Sequence, residues 1–143
     1  MQEKNILTVI PMNAKHQELL KKTAQNSKII FSDPEKITQD QVDQAEIILG
    51  NVPPEMVKEA KKLEWLQLNS AGFDAYAKKE IIGDRLLTSC SGAYGQAVSE
   101  HMFAMLLAMQ KKLHLYRDDQ KVHKWGDEGQ VTTISDTTLI ELG

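Results

Sequence analysis

The chain has 143 residues, enough to bury one good core, so one domain, or one domain plus a piece of another, is expected. Its 17 Lys and Arg against 20 Asp and Glu leave a net charge of −3, without the broad basic field that a nucleic-acid partner requires. A single cysteine, Cys90, allows no intrachain disulfide and suits a reducing cytoplasm; the first residues lack a secretory pattern, and the longest apolar run, Met102 to Met109, is too short to span a membrane.

Residues 6–10, ILTVI, read as a first strand ended by Pro11. Their nearly unbroken apolar character suits a strand covered on both faces, as in a parallel sheet. Residues 16–25 read as a helix, with Leu19 and Leu20 facing inward and Lys21 and Lys22 in solvent. A short second strand follows over 27–31, and Ser32, Asp33 and Pro34 mark a turn. Thr38 can cap a short helix over 39–44, whose Val42 faces the sheet. The third strand covers 46–49. Gly50, Asn51 and Val52 then lead to Pro53 and Pro54, a loop and a helix start. That helix, over 54–61, buries Met56, Val57 and Ala60. Residues 65–68 form the fourth strand, 69–72 its turn, and 73–79 a short helix. The fifth strand is 86–88, with a loop over 89–95. Such alternation implies an α/β fold, a flavodoxin-like or Rossmann-like parallel sheet flanked by helices.

From Ala97 to Met109 only Ser99, Glu100 and His101 are polar. A helix apolar on almost every side is normally buried between layers, so it is expected to lie inside a larger assembly. A polar amphipathic continuation runs over 111–125, then a loop through Gly126, Gly129 and Ser135, and 137–142 reads as a last strand outside the first sheet. The domain boundary is placed near Gly95. Residues 1–95 form the first domain, and 96–143 a linking helix with the beginning of a second, incomplete one.

Ser70, Ala71 and Gly72 follow the fourth strand, and in open α/β sheets ligands bind beyond the carboxyl ends of the strands. Small residues let backbone N–H groups face an anion as a nest. A tight turn with glycine at positive φ accounts for the same tripeptide. Asn51 holds the matching place after the third strand and equally suits a plain turn. Tyr94 can offer a hydroxyl to a bound acid or be a surface aromatic, and Val98 is an apolar wall or core. Glu100 and His101 are adjacent on a helix, about 100° apart, and form no acid–base dyad. His101 is read as structural at a packing boundary, with Glu100 bonded nearby. His16, His114 and His123 have no ligand cluster at metal spacing, so no metal site is expected. Cys90 reads as a small buried filler without an activated thiolate.

The run VSEH over 98–101, followed by MFAMLLA, resembles the VAEH helix of the D-isomer-specific 2-hydroxyacid dehydrogenases. LEWLQLNSAGFD over 63–74 resembles the same family's LKWIQ..SAGVD segment. Gln120 to Trp125, and then TLIELG over 138–143, sit where that family enters its nucleotide-binding domain. The resemblance covers roughly 45–143 and, more loosely, the first 44 residues. It implies the substrate domain and the start of the nucleotide domain of an enzyme that transfers hydride between NAD (or NADP) and a small 2-hydroxy or 2-keto acid. It also implies that main-chain amides of Ala71 and Gly72, beside Ser70, hold the substrate carboxylate, and that Asn51 and Tyr94 line the cleft. Val98 would wall the nicotinamide, and Gly143 would be the first glycine of the phosphate loop. Glu141 departs from the family's apolar strand. The family's catalytic histidine, its partner acid and the substrate-orienting arginine lie downstream. No catalytic residue is therefore assigned, and the chain alone is expected to be inactive and to bind no cofactor tightly. The family packs this region across a two-fold axis, so a homodimer is expected. An alternative of another class is a non-catalytic flavodoxin-like module acting through homo-oligomerisation.

Overall fold

The computed structural model describes residues 3–140, and contacts divide the chain between Ala93 and Tyr94. The first unit runs β1 (Asn5–Thr8), α1 (Ala14–Thr23), β2 (Lys28–Phe31), α2 (Gln39–Gln44), β3 (Ile47–Leu49), α3 (Pro54–Glu59), β4 (Trp65–Gln67), α4 (Lys79–Ile82) and β5 (Leu86–Thr88). The five strands are all parallel, in the order β2-β1-β3-β4-β5. This is the α/β parallel sheet expected from the alternation. Right-handed crossovers send α1, which leads outward to β2, to one face of the sheet and α2, α3 and α4 to the other.

Register places the core. Leu7 lies between Ile30 and Ile48, and Leu66 and Leu87 continue the same row. Leu7, Ile48 and Leu66 are fully buried against Val42 of α2, Val57 of α3 and Ile81 and Ile82 of α4. Each such side chain contributes about 1.5–3 kcal/mol by leaving water. Period-two alternation turns Ile47, Leu49, Trp65 and Gln67 to the opposite face, where they are half-buried. So β1, buried at Ile6, Leu7 and Thr8, is covered on both faces as expected, while β3 and β4 are fully covered on one.

Local signals hold the helices in place. Thr38 caps α2 as expected. Its hydroxyl accepts from the Gln41 N–H, and the Gln41 side chain accepts from the Thr38 N–H at 3.0 Å. The Asn13 side chain accepts from the His16 N–H at 2.9 Å, so α1 starts earlier than expected. Leu19 is exposed rather than turned inward. The helix expected over 73–79 is a single turn, with the Tyr76 and Ala77 N–H groups donating to Phe73 O at 2.9 and 3.0 Å. The helix proper, α4, comes later because Ile81 and Ile82 are the residues that reach the core. At the amino ends of the strands, Lys4 bridges Glu46 at 2.9 Å and Glu64 at 2.7 Å.

The second unit contains α5 (Gly95–Gln110) and α6 (Leu113–Lys121). They are separated at Lys112, whose φ of +52° lies in the left-handed region. The apolar helix expected over 97–109 is present as α5, and within this chain it is uncovered. No residue of α5 is buried, and Met109 is 68% exposed, because no layer of this unit covers it. The last strand expected is corrected. Residues 137–140 form no strand, and Leu139 and Ile140 are exposed; a lone strand has no ladder to satisfy its backbone groups. Glu141 and Leu142 lie outside the described residues.

Candidate functional site

A parallel sheet brings the carboxyl ends of its strands to one edge, so the loops after β3 and β4 are neighbours by construction. Backbone bonds carry the pairing past the strands. Val9 N–H donates to Leu49 O at 2.9 Å, Gly50 N–H to Gln67 O at 2.8 Å, and Leu68 N–H to Thr88 O at 2.8 Å. Gly50 has a φ of +112°, and a Cβ there would lie 2.6 Å from Val9 Cγ2. Only glycine fits that position.

Beyond Gly50 the two loops clasp each other. Asn51 N–H donates to Asn69 Oδ1 at 3.1 Å, and Asn69 N–H donates to Asn51 Oδ1 at 3.0 Å. Asn51 Nδ2 donates to Ser70 Oγ at 3.0 Å, and Ser70 Oγ donates to Gly72 O at 2.8 Å. Tyr76 Oη, buried, donates to Val52 O at 2.8 Å, and burial pushes its phenol above the ordinary range. Cys90 N–H donates to Ser70 O at 2.9 Å, fastening the loop to the segment after β5.

Ala71 and Gly72 are left exposed, and among the described residues their backbone N–H groups meet no protein acceptor. Gly72 is not in the positive-φ region, and a Cβ there would meet nothing within 4 Å. The positive-φ explanation of this glycine therefore fails, and the protein's own packing does not require it. Residues 50–53 and 69–73 carry no titratable side chain, and the exposed Asp74 follows directly.

A polar chain runs behind the loop. Trp65 Nε1 donates to Thr88 Oγ1 at 2.7 Å, Thr88 Oγ1 to Gln67 Oε1 at 2.6 Å, and Gln67 Nε2 to Leu68 O at 2.7 Å. Gln67 Nε2 also lies 3.7 Å from Cys90 Sγ. Cys90 is half-exposed, not the buried filler expected, because it stands past the end of β5 at the sheet margin.

The fold thus brings together Asn51, Ser70, Ala71 and Gly72. Tyr94 and Val98 open the second unit, each 53% exposed, with Val98 N–H donating to Tyr94 O at 2.9 Å. Gly143 lies outside the described residues. Glu100 accepts from Gln96 Nε2 at 2.9 Å, and His101 is exposed rather than set at a packing boundary. Asn69 was not anticipated. Its signal is an offset shared with Asn51: each asparagine is the second residue past its strand. A cleft of about 950 Å³ lies in the second unit between Leu113 and Asp127 and contains none of the expected site residues. There Lys124 Nζ donates to Asp119 Oδ1 at 3.0 Å and holds that carboxyl below its ordinary range.

No family model matches the chain, and no curated protein matches it. Solved structures do. A D-isomer-specific 2-hydroxyacid dehydrogenase family protein from Aeromonas salmonicida matches 90% of this chain with 42% of its own, at 27% identity and a TM-score of 0.74. D-lactate dehydrogenase from Aquifex aeolicus, complexed with NAD and lactic acid, matches 90% with 40% of its own, at 21% identity and a TM-score of 0.70. An acyclic imino acid reductase in complex with NADPH and D-Arg matches 92% with 46% of its own, at 15% identity and a TM-score of 0.73. The last two, below a quarter identical, bear on the fold alone. The chain is similar in structure to the D-isomer-specific 2-hydroxyacid dehydrogenases over nine-tenths of its length, and it spans less than half the length of these structures.

Proposed function

We propose that this chain is the substrate-binding part of an NAD- or NADP-dependent oxidoreductase acting on a small 2-hydroxy or 2-keto acid. The observation that carries the reading is the pair of exposed, unengaged N–H groups at Ala71 and Gly72, set beyond the carboxyl ends of parallel strands. They are donors suited to a carboxylate. In this reading Tyr94 adds a hydroxyl to the acid, Val98 walls the nicotinamide, and Gly143 begins the phosphate loop. Residues 1–95 serve the substrate and 96–143 lead into the cofactor domain, in a cytoplasmic homodimer.

The loop after β1 carries no glycine-rich phosphate cradle. It is Pro11, Met12 and Asn13, and the Asn13 side chain already caps α1. In this reading the residues of the first unit bind and orient the acid. With no titratable side chain in residues 50–53 or 69–73, the chain alone is expected to oxidise no NADH or NADPH in the presence of pyruvate. Steady loss of reduced-cofactor absorbance would contradict that.

The test is an amide-resolved NMR titration of the chain with pyruvate. The Ala71 and Gly72 resonances should move saturably, and pyruvamide, which lacks the carboxylate, should leave them in place. If pyruvate moves neither, the carboxylate reading is wrong.

One observation favours the second reading, a non-catalytic module acting through association. Val98, Met102, Phe103 and Met105 of α5 are all exposed. Apolar surface of this extent drives proteins together. A monomer by sedimentation equilibrium at micromolar concentration would remove that reading and the homodimer with it.

A further inference from the structure

We infer that Asn51 and Asn69 are positioning residues that set the geometry of the anion-binding loop, and that Asn51 is not itself a ligand of the substrate. The inference rests on the carboxylate reading of Ala71 and Gly72 and assigns how that site is held.

The Asn51 side chain is already engaged within the protein. Its oxygen accepts the Asn69 N–H at 3.0 Å, and its nitrogen donates to Ser70 Oγ at 3.0 Å. Asn69 Oδ1 returns the bond by accepting the Asn51 N–H at 3.1 Å. The two loops thus exchange side chain for backbone in both directions, closing a ring across the β3 and β4 ends. Both asparagine N–H groups are consumed in that exchange, and those of Ala71 and Gly72, further along, are among the loop N–H groups that meet no protein acceptor. Ser70 carries the constraint onward. Its hydroxyl, held by Asn51 Nδ2, donates to Gly72 O at 2.8 Å, which restrains the Gly72–Phe73 peptide and closes a short turn over Ala71 and Gly72. An exposed loop rich in small residues would otherwise sample many conformations, and ordering it on binding would weaken the site.

The test uses the full chain, with pyruvate as the probe, read at the Ala71 and Gly72 amide resonances and compared among the parent, Asn51→Ala, Asn69→Ala and the double variant. Thermal midpoints are measured alongside. Each single substitution is expected to raise the pyruvate Kd roughly tenfold, the worth of one or two hydrogen bonds. The double variant should be no worse than the poorer single one, because the exchange acts as a unit. Midpoints should move by less than about 5 °C, since the clasp is exposed and outside the core. A purely structural role would lower the midpoint and leave Kd unchanged. Parent-like affinity in both single variants overturns the positioning role and leaves the carboxylate reading standing. Loss of affinity in Asn51→Ala with none in Asn69→Ala makes Asn51 a ligand and overturns it too. A parent that does not respond to pyruvate overturns the underlying reading. If an alanine variant fails to fold, Ser70→Ala decides. It keeps the exchange and cuts the link to Gly72 O, and it should weaken pyruvate about threefold; unchanged affinity there also overturns the proposal.

Discussion

At Gly50, 2.6 Å separates a would-be Cβ from Val9 Cγ2, and φ is +112°. At Gly72 there is open space and no positive φ. The two glycines sit in neighbouring loops, yet only the first is demanded by the protein's own packing. Gly50→Ala should therefore destabilise the fold by about 2–4 kcal/mol through clash and backbone strain, read as a lower urea midpoint. Gly72→Ala should stay within about 0.5 kcal/mol of the parent while weakening the pyruvate response of the Ala71 and Gly72 amides, because a methyl group would crowd the approach to them. In the sequence the two positions look alike. Their difference depends on Val9, a residue some forty positions upstream of Gly50 that parallel pairing brings alongside it. Asn69 was equally hard to read, since its role depends on a partner in another loop.

Elements differ in how much of them the residues alone reveal. The helix α2 was legible to the residue because Thr38 and Gln41 form a local capping box. Thr38→Ala should lower stability by about 1 kcal/mol in urea unfolding. Five strands were legible from short β-branched or apolar runs between turn signals. By contrast, α4 lies later than the helix expected over 73–79, because its place is set by the core contacts of Ile81 and Ile82, which only the fold defines. The helical span of α5 was legible from its apolar run, and the identity of its cover was not. Composition says that Phe103 and Met105 need cover and does not say what covers them. If a second copy does, Phe103→Glu should move the chain toward monomer in sedimentation equilibrium without altering the helix content seen by circular dichroism.

For the whole molecule, charge pairs fix the pH range of stability. Glu46 accepts the Asn5 N–H at 2.9 Å and pairs with Lys4, which together hold its carboxyl below the ordinary range. Lys61 and Gln39 do the same for Asp43. Unfolded, both acids titrate in the ordinary carboxylate range. As pH falls through that range the unfolded chain takes up protons before the folded one, and stability drops. At the alkaline end, Lys4, raised by Glu64 and Glu46, keeps its proton longer when folded, and its contribution fades only as pH climbs through that raised value. Glu46→Gln should flatten the decline in thermal midpoint between neutral pH and about pH 3 relative to the parent. The α/β class and strand order follow from alternation and short connections, while these pairings join residues such as Lys4 and Glu64 that no local pattern links.

The strand order also carries a kinetic consequence. Ile47 pairs with Trp65, 18 positions on, whereas Ile6 pairs with Ile47, 41 positions on. Closing the longer interval directly costs about 0.7 kcal/mol more in chain entropy. The cheaper route zips β3, β4 and β5 on one side and β1 with β2 on the other, then joins them at the seam between Leu7 and Ile48. Conservative truncations there, such as Ile48→Val, should slow refolding in stopped-flow chevrons, whereas Leu87→Ala on the outer strand should chiefly hasten unfolding.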